Sequence, residues 1–427
     1  MLDIVKNAWS IADLRRKILY TFMIILVFRV GSNIPVPFIN SEYLEMALGG
    51  AEFMGFLNVM TGGALMNAAL FALGISPYIT ASIILQLLTV AIPALERIAK
   101  EGPEGRKKLN KITRYATAGL AIVQAVAFYI MNRNFGAVAL TPSAFENFFI
   151  GVVIVMSFAA GAMLIVWLGE AIDKRGVGNG ISIILFAGIV SSGPAALNYL
   201  IWLFNNGRYI AAAAIVIIFL FLIFAIVLMT NAERRIPVQY AKRVVGRKMY
   251  GGQSSYIPIK VMMSGVMPII FASALLSLPT MIRDFAGMNP VNNPIAYPFL
   301  SLFNHTGIPF AIMFFALIIA FNFFYVAMQY NPVEMANNLR KNSGTIPGIR
   351  PGKPSSDFIG RVISKITLVG ALFLGGVAIL PIILGVVANL QIALGGTSII
   401  IVVGVALDTV KQLESQMMMR HYKGFLE

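Results

Sequence analysis

The chain has 427 residues, 58% hydrophobic and 12% charged, with a net charge of +15. Soluble domains run nearer ~45–50% apolar and ~25% charged, so an ordinary water-soluble fold is excluded. Cysteine is absent, and His305 and His421 lie far apart in predicted loops, which excludes disulfides, thiolate metal sites and a histidine metal cluster.

A hydrocarbon core ~30 Å thick takes ~20 apolar helical residues to cross. Hydropathy predicts ten spans, at 18–35, 71–92, 113–132, 148–169, 180–203, 209–230, 258–280, 308–329, 364–385 and 394–411. The charged start runs into the first span with no small-residue cleavage site, so no cleavable signal peptide is expected. Arg29 falls near the end of span one, where snorkelling to the interface is the expectation. Segment 36–55 has no Lys or Arg and carries Glu42, Glu45 and Glu52. Segment 55–68, with Asn58 and Asn67 among glycines, is too short and polar to span and reads as a re-entrant or half-membrane element. Helix breakers then mark particular places. Gly74 and Pro77 lie in span two, Gly176, Gly178 and Gly180 precede span five, Gly265 and Pro268 lie in span seven, and Gly395 and Gly396 open span ten. Thr80, Gln86 and Asn179 fall beside these breakers. Loop 231–257 is long and basic. Loop 330–363 is longer and contains Pro347-Gly-Ile-Arg-Pro-Gly352. Asp408 falls near the end of the last span, where it is expected to meet interfacial water.

The charges fix an orientation. Of the 33 Lys and Arg, Arg133, Arg208 and Arg283 lie on one side and Arg29 lies within a span; the remaining 29 fall on the side of the N-terminus. By the positive-inside rule both termini are cytoplasmic. Ten spans divide into halves of five, 1–203 and 204–427. An odd number per half makes any structural repeat inverted, a plan common in transport proteins.

Chemistry within the spans is sparse. Ion-coupled pumps carry ionisable groups at mid-membrane, and none is placed there. A small-solute secondary transporter would need a polar or charged midplane site. An intramembrane enzyme would need paired carboxylates, a Ser–His pair or metal ligands within spans, so no catalytic role is read. No Gly-x-x-x-x-Gly-Lys-Ser/Thr occurs, so the chain has no P-loop and any work is powered from elsewhere.

Seven stretches, in order and at fitting spacing, carry a resemblance. They are Arg29-Val-Gly-Ser-Asn-Ile-Pro-Val-Pro37, Gly62-Gly-Ala-Leu65, Ala72-Leu-Gly-Ile-Ser-Pro-Tyr-Ile-Thr-Ala-Ser-Ile-Ile-Leu-Gln-Leu-Leu88, Arg175-Gly-Val-Gly-Asn-Gly-Ile-Ser182, Asn331-Pro-Val-Glu-Met-Ala-Asn-Asn-Leu339, Pro347-Gly-Ile-Arg-Pro-Gly352 and Gly395-Gly-Thr-Ser398. The set resembles SecY, the channel family of the bacterial Sec protein translocase, over essentially the whole chain.

The resemblance implies an all-α membrane fold of two inverted five-helix halves around an hourglass pore, with a plug helix after span one. It also implies a lateral gate between spans two–three and seven–eight, in the bacterial cytoplasmic membrane. Unfolded preproteins would cross the pore, and signal sequences and other apolar segments would leave sideways into lipid. SecE and SecG would brace the channel, and the ATPase SecA or a ribosome, through its RNA, would dock on the two basic loops. No cofactor is implied. The resemblance puts the pore ring on Ile75, Ile79, Ile181, Leu185, Ile270 and Ile401, with leucine at 185 where the family often has isoleucine. It puts the plug on 56–67, including Phe56, Leu57, Asn58, Met60 and Asn67. The gate falls on Thr80, Gln86, Asn179, Ser273 and Leu278, and partner docking on Lys242, Arg243, Arg247, Lys248 and Arg350.

Overall fold

The computed structural model describes residues 8–41, 58–139, 141–240, 243–245, 248–250, 254–285, 302–303, 307–388 and 396–423. Thirteen helices are assigned there: α1 Ala12–Gly31, α2 Ser76–Ala91, α3 Pro93–Lys100, α4 Pro103–Asn134, α5 Ala144–Arg175, α6 Gly180–Ser191, α7 Gly193–Asn205, α8 Tyr209–Asn231, α9 Met267–Phe285, α10 Ile308–Gln329, α11 Pro332–Lys341, α12 Lys353–Ala388 and α13 Gly396–Lys423. Five short strands join them: β1 Glu233–Tyr240, β2 Arg243–Val245, β3 Lys248–Tyr250, β4 Ser254–Lys260 and β5 Gly344–Thr345.

Seven of these membrane-scale elements are long and apolar enough to cross a bilayer: α4, α5, α6 with α7, α8, α10 with α11, α12 and α13. The other three expected spans coincide with α1, α2 and α9, which are shorter or more charged. α8 is the most lipid-like, with 11% of its apolar window buried in protein.

Helix α2 shows how local chemistry alters a span. Expected over 71–92, it begins only at Ser76, because Phe71–Ile75 is a run of turns in which Gly74 takes φ +55°. Its 16 residues rise ~24 Å, short of a full crossing. At the other end Pro93 forces Ile92 into extended backbone (φ −108°, ψ 113°), and the chain turns through 101° into α3. Span five also differs from expectation, being divided at Ser192 into α6 and α7, with Gly193 and Pro194 opening the second piece. Span nine starts early, at Lys353, so part of loop 330–363 is helix.

Close backbone contacts set the first half. α5 passes the turn segment so tightly that a Cβ on Gly161 would stand 1.9 Å from the Leu70 carbonyl oxygen. A Cβ on Gly180 would stand equally close to the Gly169 carbonyl, which lets α6 start against α5. α4 and α5 are tied by the Phe128–Phe158 edge contact at 5.0 Å and by Arg114, whose guanidinium donates to both oxygens of Glu170 at 2.6 Å. The ion pair is half exposed, so its contribution is modest. Arg114→Gln should lower thermal stability in detergent by no more than ~1 kcal/mol; a larger loss would show that the pair holds the two helices in register.

The two basic loops are not irregular. β1 and β4 form an antiparallel pair from Glu233↔Lys260 to Gln239↔Ser254, and β1 continues to β5 through Gln239↔Thr345. Ile236 and Val238 alternate inward and join Ile259, Ala336, Leu339, Ile346 and Ile359 in one small core. The loops thus fold together, because period-two apolar residues bury one face of a three-stranded sheet.

Candidate pore and gate

The expected ring residues come from four elements. Ile75 caps the start of α2 and Ile79 follows one turn on. Ile181 and Leu185 are one turn apart on α6, Ile270 lies on α9 and Ile401 on α13. Ile75, Ile79, Leu185, Ile270 and Ile401 are buried in a single apolar cluster, and Ile181 packs against it while also leaning on Gly169 of α5. The cluster lies where the elements before Tyr209 meet those after it. On one side α9 packs on α2 and α4; on the other α13 packs on α6; α7 and α8 join the halves by a short turn. All six contributed side chains are aliphatic, so the constriction they could form disfavours water and ions without binding any particular sequence.

The segment expected to form a plug, 56–67, departs from a plain helix. Phe56 and Leu57 lie outside the described residues. Asn58 to Met60 form one helical turn, then turns run through Ile75. Gly62 (φ +70°) and Gly63 (φ +89°) break the helix, and the Asn58 side chain accepts from the Met66 N–H at 3.0 Å. Met60 and the buried Gly62 face α6. There a Cβ on Gly188 would stand 2.4 Å from the Met60 carbonyl oxygen, so the segment is seated on bare backbone. Asn67 is exposed. The turns downstream are fastened to the end of α1: the Val36 N–H donates to the Ala68 carbonyl, the Leu70 N–H donates to the Ile34 carbonyl, and Phe71 stacks on Phe28 at 5.9 Å.

Arg29, expected to snorkel, is exposed near the end of α1. Its guanidinium turns to the plug segment and donates to the Gly62 carbonyl at 2.5 Å.

Among the expected gate residues, Thr80 bonds within α2, to the Ser76 carbonyl at 3.0 Å, and the buried Ser273 bonds within α9, to the Ile270 carbonyl at 2.8 Å. Leu278 is 38% exposed on α9. Asn179 is exposed and spends its side chain capping α6 through the Ser182 N–H, so it does not reach across the seam. Gln86 does. Its Oε1 accepts a short hydrogen bond from the Tyr325 hydroxyl of α10, while its Nε2 donates to Ser82 at 3.3 Å. Tyr325 is buried against Phe271 at 4.9 Å and was not anticipated; it stands 239 residues from Gln86. A second bond between the halves runs from Lys17 to the Gln416 side chain at 3.1 Å.

Behind the gate, the buried Asn322 accepts from Ser264 and donates to the Thr367 carbonyl at 3.1 Å, which binds α10 to α12 and to the turn before α9. Of the residues expected to dock partners, Lys242 and Arg247 lie outside the described residues. Arg243 and Lys248 fall in the paired strands β2 and β3. Arg350 is exposed between Gly348 (φ +79°) and Gly352 (φ +103°), and its carbonyl accepts from Ser355 at 2.8 Å.

The SecY family model matches residues 69–410. The chain belongs to the SecY family. Protein translocase subunits SecY from Streptomyces galbus and Halalkalibacterium halodurans are 42% and 44% identical to it, over the full length of both chains in each case. Among solved structures, a protein-conducting channel superposes with a TM-score of 0.66 at 20% identity, covering 94% of this chain and 92% of that one. Sec61 of the canine ribosome-channel complex superposes at 0.63 with the same coverage.

Proposed function

We infer that the chain is a protein-conducting channel, passing unfolded secretory polypeptide across the membrane and releasing apolar segments sideways into lipid. The observation that carries the reading is the aliphatic cluster fed by α2, α6, α9 and α13 at the meeting of the two halves. Ile75, Ile79, Ile181, Leu185, Ile270 and Ile401 form its ring, a deformable apolar seal. Met60, Asn58 and their neighbours serve as the plug, and α2, α4, α9 and α10 as the gate. The halves are 1–203 and 204–427. A small-solute transporter is disfavoured, because among the described residues no Asp, Glu, Lys, Arg or His is buried to form a midplane site.

The chain performs no bond chemistry of its own in this reading; translocation is driven by SecA or by a ribosome. A ribosome partner is supported by the canine complex that contains Sec61. Both partners suit the basic tip carrying Lys242, Arg243, Arg247 and Lys248 and the exposed Arg350, since cationic side chains bind RNA phosphates and acidic surfaces. SecE and SecG complete the complex. The membrane is the bacterial cytoplasmic one, with both termini on its inner side.

A photoreactive amino acid placed in turn at each ring position tests the reading. An arrested preprotein should cross-link at the ring and not at the lipid-exposed Ile210. Cross-links at Ile210 alone, with none at the ring, would overturn it.

A further inference from the structure

The one charged side chain placed within span one is bonded to a backbone carbonyl of the plug segment, and the mechanism above gives it no task. We propose that Arg29 is the latch that holds the plug seated, which rests on the channel reading and adds a positioning residue to it. Gly62 is buried, and its left-handed conformation turns its carbonyl out of any helical ladder. A buried carbonyl needs a donor, and the Arg29 guanidinium supplies it at 2.5 Å. A bond to a charged donor is stronger than a neutral one, and losing it orphans the carbonyl.

The placement of the bond makes it a latch. Downstream of the two glycines, Ala68 and Leu70 are bonded to Val36 and Ile34, just beyond α1, and Phe71 stacks on Phe28 of α1. Upstream, the Met60 carbonyl rests on Gly188, Val59 and Met60 pack half-buried on the apolar cluster, Thr61 is buried, and Asn58 accepts from the Gly63 and Met66 N–H groups. Gly62 and Gly63 stand between this upstream turn and the downstream part, both at positive φ, where glycine turns freely. Arg29 grips the chain at that pivot. With that bond released, the upstream turn is held by the Asn58 bonds and the packing of Val59, Met60 and Thr61 alone.

The test measures ion flux through proteoliposomes holding the purified complex. Arg29→Gln removes the charge, and idle leak should rise about tenfold, the shift expected from one lost charge-assisted hydrogen bond. The absence of cysteine allows a second arm. Ser191 Oγ lies 2.9 Å from where a Cβ on Gly62 would stand, a fitting reach for a disulfide. With Gly62→Cys and Ser191→Cys added to Arg29→Gln, oxidation should return the leak to the level of the same oxidised cysteine pair with Arg29 intact, and reduction should restore it. A leak that persists after the disulfide forms would mean general loosening and would overturn the latch. The ring variant Ile75→Ala with Ile401→Ala separates the two readings. If it leaks while Arg29→Gln is tight, the latch is wrong and the channel stands; if neither leaks, both fall. Should the glutamine variant fail to accumulate, Arg29→Lys gives the same comparison, with a leak between wild type and the expected tenfold.

Discussion

Removing the Tyr325 hydroxyl should let the channel accept weaker signal sequences. Tyr325 and Gln86 join α10 to α2 across the gate seam. Tyr325→Phe keeps the aromatic packing on Phe271 but leaves Gln86 Oε1 without its donor. Hydrogen bonds between membrane helices average ~0.6 kcal/mol, and an orphaned acceptor costs ~1–3 kcal/mol. The closed gate should therefore lose ~1–2 kcal/mol, raising the open population roughly five- to thirtyfold. A preprotein whose signal sequence has lost one leucine should then be exported at a rate near that of the intact one. The companion change runs the other way. Gln86→Leu with Tyr325→Phe replaces a polar pair by an apolar contact in an apolar cluster, which should hold the seam closed at least as firmly as the native pair. Export assays of the two single variants and the double one form a cycle. If the double variant opens as readily as Tyr325→Phe, the bond is not what closes the seam. A short bis-maleimide, adding the thiols of Gln86→Cys and Tyr325→Cys across its two double bonds, should block export altogether.

The contrast between Gln86 and Tyr325 shows where sequence reading stops. Gln86 was legible because a polar residue in a lipid-length apolar run demands a partner. Its partner was not, because tertiary packing alone brings together positions 239 apart. The spans α4, α5, α8, α10 and α12 were legible from hydropathy, which depends only on local composition. Their ends were less so: Lys353 begins α12 well before its apolar stretch, since a helix continues as long as capping and propensity allow. The strands in the basic loops left a trace in Ile236, Val238, Ile257 and Ile259, an alternation overshadowed by the surrounding charge. Arg29 was visible as a charge near a span end, but its bond depends on Gly62 standing at φ +70°, a backbone state that no hydropathy profile reports. Asn179 was placed at the gate by the family resemblance; in the structure its side chain caps α6.

The ring prediction carries the largest effect, because it removes the seal itself. Ile75, Ile79, Leu185, Ile270 and Ile401 touch a common cluster, so no single side chain closes the constriction alone. Ile75→Ala should therefore leak little, its neighbours relaxing into part of the gap. Ile75→Ala with Ile401→Ala removes bulk from both halves at once, and relaxation from one side cannot refill it. An apolar neck excludes water only while it is narrow, and past that width it fills cooperatively. The double variant should thus conduct far more than the sum of the singles, by about tenfold or more over wild type, in a planar bilayer. Buried large-to-small changes cost ~2–5 kcal/mol each, so thermal unfolding in detergent is measured alongside. Alanine is chosen because Ile401 lies within α13, where glycine would add ~1 kcal/mol of helix cost. A double variant that folds and conducts no more than the singles would remove the ring from the seal. A double variant whose conductance falls again when a translocating preprotein occupies the pore would identify the six aliphatics as a gasket around the polypeptide, closing on whatever chain passes because they bind none in particular.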